Sequence, residues 1–470
     1  MKTYLSRYRA VRFTGLLLAF VATTGLCAQS ERKPNVVLVY VDDLGWKDLG
    51  CYGSTFYETP HIDALAERGV LFTDAYAAAN VCSPSRHALL TGQYPARSNF
   101  TNIRNWKPKP GRPLVGPVQD DRLDEAEVPF PEVFQDAGYR TAFIGKWHLN
   151  FEPGFGPRTS SHGFDHWEQI ATEGGWKPAR IVPAEQDPKE VGEITGKSVA
   201  FIRDAVDAGE PFLLYQSHHT VHVELQATKT LHDKYAAKEP GENGQRNPFM
   251  GAMIERLDDS VGEMTEELEQ LGVLQETIIV FSSDNGGQFD QFGEVVTRQT
   301  PLRGGKGDAY EGGVRVPLIL AGPGIDEGKT VETPIIQIDL YPTLLELAGL
   351  PLPEGVPLDG VSLVPALDGE VEPDTALAER EAIYWHYPHY KAKTEPHSAI
   401  RLGDWKWIAY HENWLDVPGA RENQLFNLEE DLGEQRNLVD ARPEKAAELD
   451  RQLKEYLEAM DAQMPTRRSE

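Results

Sequence analysis

The amino-acid sequence predicts an α/β fold, in which a large, mainly parallel sheet flanked by helices is followed by a smaller C-terminal α+β subdomain. Three observations support this prediction. Nearly continuous apolar runs, such as NVVLVYV at 35–41, alternate with amphipathic helical patterns. The composition shifts to Pro, Gly and acidic residues at 351–373, and short strand-like segments follow. The chain has 470 residues, which exceeds the size at which one core usually stops growing.

The predicted elements of the large domain alternate in type. After the first strand we expect a helix at 60–69 and a strand near 70–73. Later helices lead into strands, predicted at 131–138 with 140–144, 190–207 with 211–216 and 250–271 with 277–282, before a strand at 316–321 and a helix at 337–348. Strand-like segments of the subdomain are expected at 381–387, 398–401, 405–410 and 424–427, with a last helix at about 443–460. This order indicates a catalytic domain at 29–372 and a subdomain at 373–470.

Residues 1–28 have the pattern of a secretory signal peptide. Four basic residues precede an apolar stretch at 13–26, and Ala28 is a suitable cleavage position. The stretch is short for a membrane span and no stop-transfer segment follows, so we predict a secreted or periplasmic protein without a membrane span. Acylation of Cys27 as a lipoprotein is the alternative, which the bulky Leu26 before it disfavours.

The mature chain is expected to be strongly acidic. Cleavage would remove four positive charges and no acids, which moves the formal net charge from −27 to −31. Such a surface disfavours nucleic acid as a partner, and an anionic substrate would need a local group of cations. Only Cys51 and Cys82 would remain, too few for a disulfide scaffold, although a single bridge between them is an alternative to a reactive cysteine.

Two pairs of adjacent residues with carboxylate or amide side chains follow predicted strands. Asp42 and Asp43 come directly after the first strand, and Asp284 and Asn285 follow the strand TIIVF. In open α/β sheets the carboxyl ends of neighbouring strands converge on one crevice. Adjacent carboxylates repel each other unless a cation lies between them, and an all-oxygen ligand set suits Ca²⁺ or Mg²⁺ better than zinc. Either pair alone could simply begin a turn, but two pairs at matching positions favour a metal site.

A helix is predicted to begin within the segment CSPSR at 82–86. Pro84 suits the first turn, which places Cys82 at the N-terminus, where the helix dipole favours negative charge. Arg86 lies about one turn further on and can point back to the same place. Because a soft thiolate is a poor partner for a hard cation, we predict that the reactive group at position 82 is not the thiol.

These motifs resemble those of the type I sulfatases, the arylsulfatase-like branch of the alkaline phosphatase superfamily, in which the cysteine of Cys-x-Pro-Ser-Arg is oxidised to formylglycine. Further matching segments are LTG at 90–92, GYRTAFIGKWH at 138–148, PLRGGKG at 301–307 and EGGVRVP at 311–317. The resemblance runs in family order from about residue 34 to the C-terminus. It departs from the family pattern after His222, where Val223 and Glu224 stand in place of Thr-Pro.

The resemblance implies a mechanism. The hydrated aldehyde at position 82 is held on one Ca²⁺ ion, with Mg²⁺ as the alternative, and attacks the sulfur atom of the substrate. Arg86, Lys146 and Lys306 are expected to neutralise the sulfuryl oxygens. His222 is expected to protonate the leaving oxygen, and His148 to take a proton from the second hydroxyl. The implied metal ligands are Asp42, Asp43, Cys82 in its oxidised form, Asp284 and Asn285.

The segment YWHYPHY at 384–390 offers stacking rings beside polar groups, a combination that suits sugars. It is similar to a branch of bacterial carbohydrate sulfatases that act on sulfated galactose or N-acetylgalactosamine units. We therefore predict that Trp385, His386 and His389 bind substrate, although these side chains could instead pack the subdomain onto the main sheet. Further candidates for the pocket rim are Trp106, Trp176 and Arg180.

The predicted function is hydrolysis of sulfate esters on a sulfated carbohydrate. The predicted partners are a sulfated glycan and a maturation enzyme, either the formylglycine-generating enzyme or the anaerobic sulfatase-maturating enzyme. One alternative is a phosphomonoester or phosphonate hydrolase of the same superfamily, but phosphate transfer often uses two metals and ligands for only one are apparent. The other alternative is a non-catalytic protein that binds sulfated glycans.

Overall fold

The structure of the chain is a computed structural model that describes residues 33–468, apart from 106, 108, 120–121, 125, 150–161, 173–176 and 392–393. The predicted signal peptide and the rim candidates Trp106 and Trp176 lie outside the described residues. Residues Lys33–Glu470 cluster as one compact unit. The boundary between a catalytic domain and a subdomain at residue 372 stays a prediction.

An eight-stranded sheet forms the centre of this unit. Its strands are β1 (Asn35–Val41), β2 (Gly69–Phe72), β3 (Arg140–Gly145), β4 (His166–Gln169), β5 (Phe212–Ser217), β6 (Thr277–Ser283), β7 (Leu318–Ala321) and β8 (Lys329–Val331). Their order across the sheet is β8-β2-β7-β6-β1-β5-β3-β4. The neighbours β6, β1, β5, β3 and β4 all run parallel, whereas β7 runs antiparallel to both β6 and β2. The prediction of a large, mainly parallel sheet is confirmed.

Helices cover both faces of this sheet. They are α1 (Pro60–Glu67), α2 (Cys82–Thr91), α3 (Phe130–Asp136), α4 (Val191–Ala208), α5 (Lys229–Ala236), α6 (Pro248–Gln270), α7 (Leu340–Leu347) and α8 (Pro443–Ala459), with single turns at Pro95–Ser98, Glu311–Val314, Ala376–Glu379 and His411–Trp414. The start of α6 shows how a local signal sets a boundary, because the side chain of Asn247 accepts hydrogen bonds from the N–H groups of Phe249 and Met250. Pro248 at the first helical position needs no such partner.

The core lies on both sides of the sheet because successive side chains of a strand point to opposite faces. In β1, Val37, Val39 and Val41 pack into one apolar cluster with α1, α4 and α6. Leu38 and Tyr40 pack into the cluster on the other face with α2, α3 and α7. Every residue of β1 is buried, which is why its sequence lacks the alternation of a half-exposed strand.

A second sheet of four antiparallel strands follows in the C-terminal region. It contains β9 (Ala382–Tyr387), β10 (His397–Leu402), β11 (Trp405–Tyr410) and β12 (Gln424–Asn427), paired in this order. Leu449 and Leu453 of α8 pack on one face with Ile400 and Trp407. The other face packs against residues that precede the second sheet in the chain, including Ala88 of α2. The second sheet thereby supports the helix that begins at Cys82.

Short two-stranded ladders complete the described architecture. They pair Ala75–Tyr76 with Ile335–Ile336, Leu114–Val115 with Thr466–Arg467, Arg180–Val182 with Gln226–Thr228, and Asp290–Gln291 with Glu294–Val295. A search of the described residues for a helix of sufficient length and apolar character to cross a bilayer found none.

Candidate active site

The carboxyl ends of four neighbouring parallel strands meet at one edge of the main sheet. The strands β6, β1, β5 and β3 are consecutive in the sheet, and each is followed by residues that the sequence analysis selected. The pairing of Val41 with Ser283, and of Tyr40 with Ser217, brings the strand ends level with one another. The residues that follow these ends are Asp42, Asp43, Lys146, His148, His222, Asp284 and Asn285.

Acidic side chains gather with Cys82 at this edge. One ligand atom from each of Asp42, Asp43, Cys82 and Asp284 lies within 4.8 Å of the others, and all four residues are buried. Asn285 belongs to the same group, since its Nδ2 atom donates a 2.8 Å hydrogen bond to Oδ1 of Asp43. The structure therefore brings together the five predicted metal ligands from three separate segments of the chain.

The bonding of these oxygens fits a cation. Oδ1 of Asp42, Oδ2 of Asp43 and Oδ1 of Asn285 are buried and receive no hydrogen bond from any residue that the structure describes. A buried carboxylate oxygen without a partner costs free energy, and Asp42 and Asp43 also repel each other. Burial, followed by repulsion from Asp42, raises the pKa of Asp284 to about 6. A divalent ion among these oxygens would remove all of these costs, and oxygen donors match a hard cation.

Two lysines neutralise the carboxylates from the side. Lys146 pairs with Asp42, and Nζ of Lys306 lies 2.5 Å from Oδ1 of Asp43. Although burial acts in the opposite direction, these ammonium groups hold the pKa values of both carboxylates below their usual range. Nζ of Lys306 also lies 2.9 Å from Sγ of Cys82. The side chain at position 82 thus lies between the acidic cluster and a cation.

Cys82 is the first residue of α2, as the sequence predicted, and is 1% exposed. Burial raises the pKa of its thiol to about 12 even though Lys146 and Lys306 oppose the shift. Burial thus disfavours the thiolate, which is the nucleophilic form of cysteine, when no cation is bound. Both Cys51 and Cys82 are free, so the alternative of a bridge between them is wrong.

Arg86 lies one turn further along α2 and points to Asp284. Its Nε and Nη2 atoms lie 2.9 Å and 2.8 Å from Oδ2 of that carboxylate, and its Nη1 atom donates to the carbonyl oxygen of Lys146 and to Oγ of Ser217. The guanidinium is 1% exposed and lies over the ring of Tyr40. Its Nε and Nη1 donors therefore fix Asp284 relative to β3 and β5, whereas Nη2 makes no hydrogen bond among the described residues.

The histidines differ in position. Nε2 of His222 lies 3.8 Å from Oδ2 of Asp43, while its Nδ1 contacts the carbonyl oxygen of Val223. Burial lowers the pKa of His222 to about 4. Burial, followed by repulsion from Lys146, holds the pKa of His148 well below its usual value, and its Nδ1 has no hydrogen-bond partner. His218, by contrast, is fully buried against Ser260 on α6 and is not part of the cluster.

Comparison with known proteins agrees with this geometry. The model of the family described as "Sulfatase" matches residues 34–350, and a model described as "N-sulphoglucosamine sulphohydrolase, C-terminal" matches residues 306–463. A "Sulfatase" of Formosa agariphila is 31% identical over 94% of this chain and 91% of its own length. The chain belongs to the sulfatase family. It is a sulfuric ester hydrolase, and membership implies the metal ion and the formylglycine for which the cluster at Cys82 has suitable residues.

Two further relatives of this sulfatase are similar over nearly their whole length. An "N-acetylgalactosamine-6-O-sulfatase" of Bacteroides thetaiotaomicron is 30% identical over 92% of this chain and 94% of its own. The solved structure of Ps i-CgsB in complex with k-i-k-neocarrahexaose has a TM-score of 0.73 and 28% identity, with 91% of this chain and 93% of that chain covered. The predicted fold of an α/β sulfatase with a smaller C-terminal α+β region is confirmed.

The three C-terminal residues predicted to bind substrate make hydrogen bonds within the sulfatase. Nε1 of Trp385 donates to the carbonyl oxygen of Ala77, and the ring packs against Tyr76. Both ring nitrogens of His386 have protein partners, Ser398 and the carbonyl oxygen of Gln463. His389 bonds to Thr101 and is 2% exposed. Such contacts agree with the alternative role in packing, and substrate binding by these residues stays a prediction. The rim candidate Arg180 pairs with buried Glu224 and is itself 39% exposed.

Two lysines near the cluster were not found from the sequence. Lys189 has a positive φ of 62° and is 3% exposed. Burial lowers its pKa to about 8, and Asp42 and Glu224 are its charged neighbours. Lys391 reaches the cluster from the segment between β9 and β10. Neither lysine lies in a matching family segment or beside a strand end, so the sequence offered no signal for either.

Proposed function

We propose that this sulfatase is a secreted or periplasmic enzyme that removes sulfate from galactose- or N-acetylgalactosamine-type units of sulfated carbohydrates. Its nucleophile is formylglycine formed from Cys82, and its cofactor is one Ca²⁺ ion. The observation that carries this proposal is the buried cluster of Asp42, Asp43, Asp284 and Cys82 beside the ammonium group of Lys306. Such a site combines a cation-binding set of oxygens with positive charge for an anionic ester.

Asp42, Asp43, Asp284 and Asn285 would hold the cation together with the side chain at position 82. When bound, a divalent ion supplies positive charge that lowers the pKa of a hydroxyl on the hydrated formylglycine and stabilises the sulfuryl oxygens. The donor set consists of carboxylate and amide oxygens, and this favours Ca²⁺ over transition metals. Mg²⁺ is disfavoured because it holds several waters, whereas this cluster is buried.

The cationic residues act on the charge of the ester. Lys306 and Lys146 lie beside Asp43 and Asp42, where their ammonium groups can donate to sulfuryl oxygens. Arg86 orients Asp284, and its Nη2 atom, which makes no hydrogen bond among the described residues, can also donate to a sulfuryl oxygen. His222 is neutral in the free protein, and the negative charge of a bound ester would raise its pKa so that it can protonate the leaving oxygen. His148, held neutral by burial, can accept a proton.

The names of similar proteins support a carbohydrate substrate. One relative is named an N-acetylgalactosamine-6-O-sulfatase, and one structural neighbour was solved in complex with k-i-k-neocarrahexaose. The partners that follow are a sulfated glycan and the enzyme that oxidises Cys82, which is either the formylglycine-generating or the anaerobic sulfatase-maturating enzyme. A nucleic-acid partner is disfavoured by the net charge of −27.

The rival hydrolysis of phosphate or phosphonate esters is less well supported. Phosphatases of the two-metal type need a second group of ligands. Within the part of the chain that the structure describes, the cluster at Cys82 is the one group of three or more acidic, His or Cys side chains that could hold a metal ion. A single-metal site agrees better with sulfate-ester hydrolysis.

The proposal is tested by sulfate release from position-defined sulfated monosaccharides and disaccharides, with matched phosphate esters as controls. The protein must be co-expressed with a maturation enzyme, and its position 82 checked by mass spectrometry. We expect turnover on a galactose or N-acetylgalactosamine sulfate and much slower turnover on the phosphates. Faster turnover of the phosphate esters by fully modified protein would overturn the proposal.

A further inference from the structure

The side chain of Lys391 runs along the glycine loop that holds Lys306. Gly307 adopts a positive φ of 97°, and a Cβ atom built on it would lie 3.0 Å from both Cδ and Nζ of Lys391. The loop can pass this close to Lys391 because residue 307 has no side chain. Lys391 therefore brings a second ammonium group to the loop that positions Lys306 beside Cys82.

The ammonium group of Lys391 has no acceptor among the described residues. Its Nζ atom is buried and makes no hydrogen bond. The ionisable side chains that influence it are those of Lys306, Asp43, Cys82 and Asp308. Asp43 is already paired with Lys306, and the two oxygens of Asp308 accept hydrogen bonds from Gly305 and Thr394. The nearby acids are thus engaged elsewhere.

Three other buried lysine side chains of the described chain, those of Lys146, Lys306 and Lys406, are paired with carboxylates. Lys146 and Lys306 each pair with a carboxylate of the cluster. Lys406 pairs with Glu311 at 2.7 Å and with Glu434 at 3.1 Å. Burial, followed by repulsion from Lys306, lowers the pKa of Lys391 to about 8. A buried ammonium group without an acceptor is costly for the folded state, and such a cost is expected where the acceptor comes with a ligand.

We propose that Lys391 binds an oxyanion of the substrate beside Lys306. The inference rests on the proposed function, because it takes the group that enters the cluster to be an anionic ester. An oxyanion is the ligand that supplies the missing acceptor, and the resulting charge-assisted hydrogen bond is of the stronger kind. The oxyanion is either the scissile sulfate itself or a second acidic group, a sulfate or carboxylate, on the same sugar.

The test replaces Lys391 with methionine, which has a similar length and no charge. The control is Lys229→Met, which removes the same charge from an exposed position on α5 where Lys229 pairs with Asp233. We expect Lys391→Met to lower kcat/KM by about 10- to 100-fold, as for loss of a hydrogen bond to a charged group. The control should retain wild-type kcat/KM.

Three measurements identify the oxyanion. They are kcat/KM for 4-nitrophenyl sulfate, kcat/KM for a disulfated sugar, and inhibition by inorganic sulfate. If Lys391 binds the scissile group, the variant loses activity on both substrates and is inhibited less strongly by sulfate. If it binds a second acidic group, only the disulfated sugar is affected. A variant that matches the wild-type protein in all three measurements would show the proposal to be wrong.

Thermal unfolding supplies a readout that does not depend on turnover. Because Lys391→Met removes an unpaired buried charge, its Tm in the absence of ligand should exceed that of the wild-type protein by about 1 °C or more. A lower Tm would reveal a stabilising protein partner and would contradict the inference. If fully modified wild-type protein released no sulfate, the proposed function would fail, and calorimetric titration of both proteins with inorganic sulfate and with the disulfated sugar would still test Lys391.

Discussion

The Nζ atom of Lys306 lies 2.9 Å from the Sγ atom of Cys82, although 224 residues separate them in the chain. The same ammonium group pairs with Asp43. A bound cation and Lys306 can therefore both contact the side chain at position 82. Because a soft thiolate is a poor partner for a hard cation, this placement suits an oxidised side chain better than a cysteine nucleophile.

Replacement of Cys82 by alanine or serine should abolish sulfate release and leave the fold intact, since alanine has no nucleophile and an unoxidised serine has no second hydroxyl with which to expel sulfate. The matched control is Cys51→Ala, which alters the other free cysteine of the described chain. Sulfate release and circular dichroism measure the two effects. Wild-type turnover by Cys82→Ala, or intact thiol at position 82 in fully active protein, would contradict the formylglycine assignment.

Calcium binding should stabilise the folded protein. At a Ca²⁺ concentration 100 times its Kd we expect about 2.7 kcal/mol of stabilisation, visible as a rise in Tm over protein treated with chelator. Asp43→Asn should remove most of this rise, because it takes a charge from the oxygens that lack donors. Asp259→Asn, at a surface ion pair on α6, is the control and should keep it. A Tm insensitive to both Ca²⁺ and chelator would exclude the metal site.

Arg86→Lys should be strongly destabilising despite the conserved charge. A lysine cannot reproduce the guanidinium contacts to Asp284, Ser217 and the carbonyl oxygen of Lys146. Loss of a buried pair of this kind costs about 3–5 kcal/mol, which urea unfolding can measure. Arg203→Lys is the matched control, since Arg203 makes a similar two-pronged contact with Glu267 but is 57% exposed. Comparable losses in the free energy of unfolding in both variants would show that burial does not determine the cost of losing the ion pair.

The stability of the protein should depend on the protonation of Asp48. Burial raises the pKa of this carboxyl to about 7 in the folded state. A raised folded pKa means that the folded protein binds the proton more tightly, so this contribution to stability is complete below about pH 4 and is lost as pH rises to about 7. Its size is at most on the order of 4 kcal/mol.

Urea unfolding of the wild-type protein and Asp48→Asn across pH 4–8 measures this effect. The stability of the wild-type protein relative to the variant should fall as pH rises. The lost hydrogen bond from the N–H of Gly45 adds an offset that does not change with pH. A constant difference between the two proteins over the whole range would mean that Asp48 is ionised throughout.

Much of the fold could be predicted because the strands are buried on both faces. An apolar run such as Asn35–Val41 can be placed with little ambiguity, and its observed bounds equal the predicted ones. The direction of β7 could not be predicted in this way, because an apolar run reads the same whether its strand is parallel or antiparallel. The segment at 384–390 was ambiguous for a similar reason, since rings that stack on sugars also pack cores.

The sequence by itself determined the sulfatase motifs, the strand ends at which they lie and the membership of Asp42, Asp43, Cys82, Asp284 and Asn285 in one site. Motifs at the ends of parallel strands are informative because topology brings those ends together. Only the tertiary structure decided which side chains have partners. It pairs Arg86 with Asp284 and gives Lys391 no acceptor within the described part of the chain. Such pairing depends on distances between segments far apart in the chain, and no local pattern of residues encodes those distances.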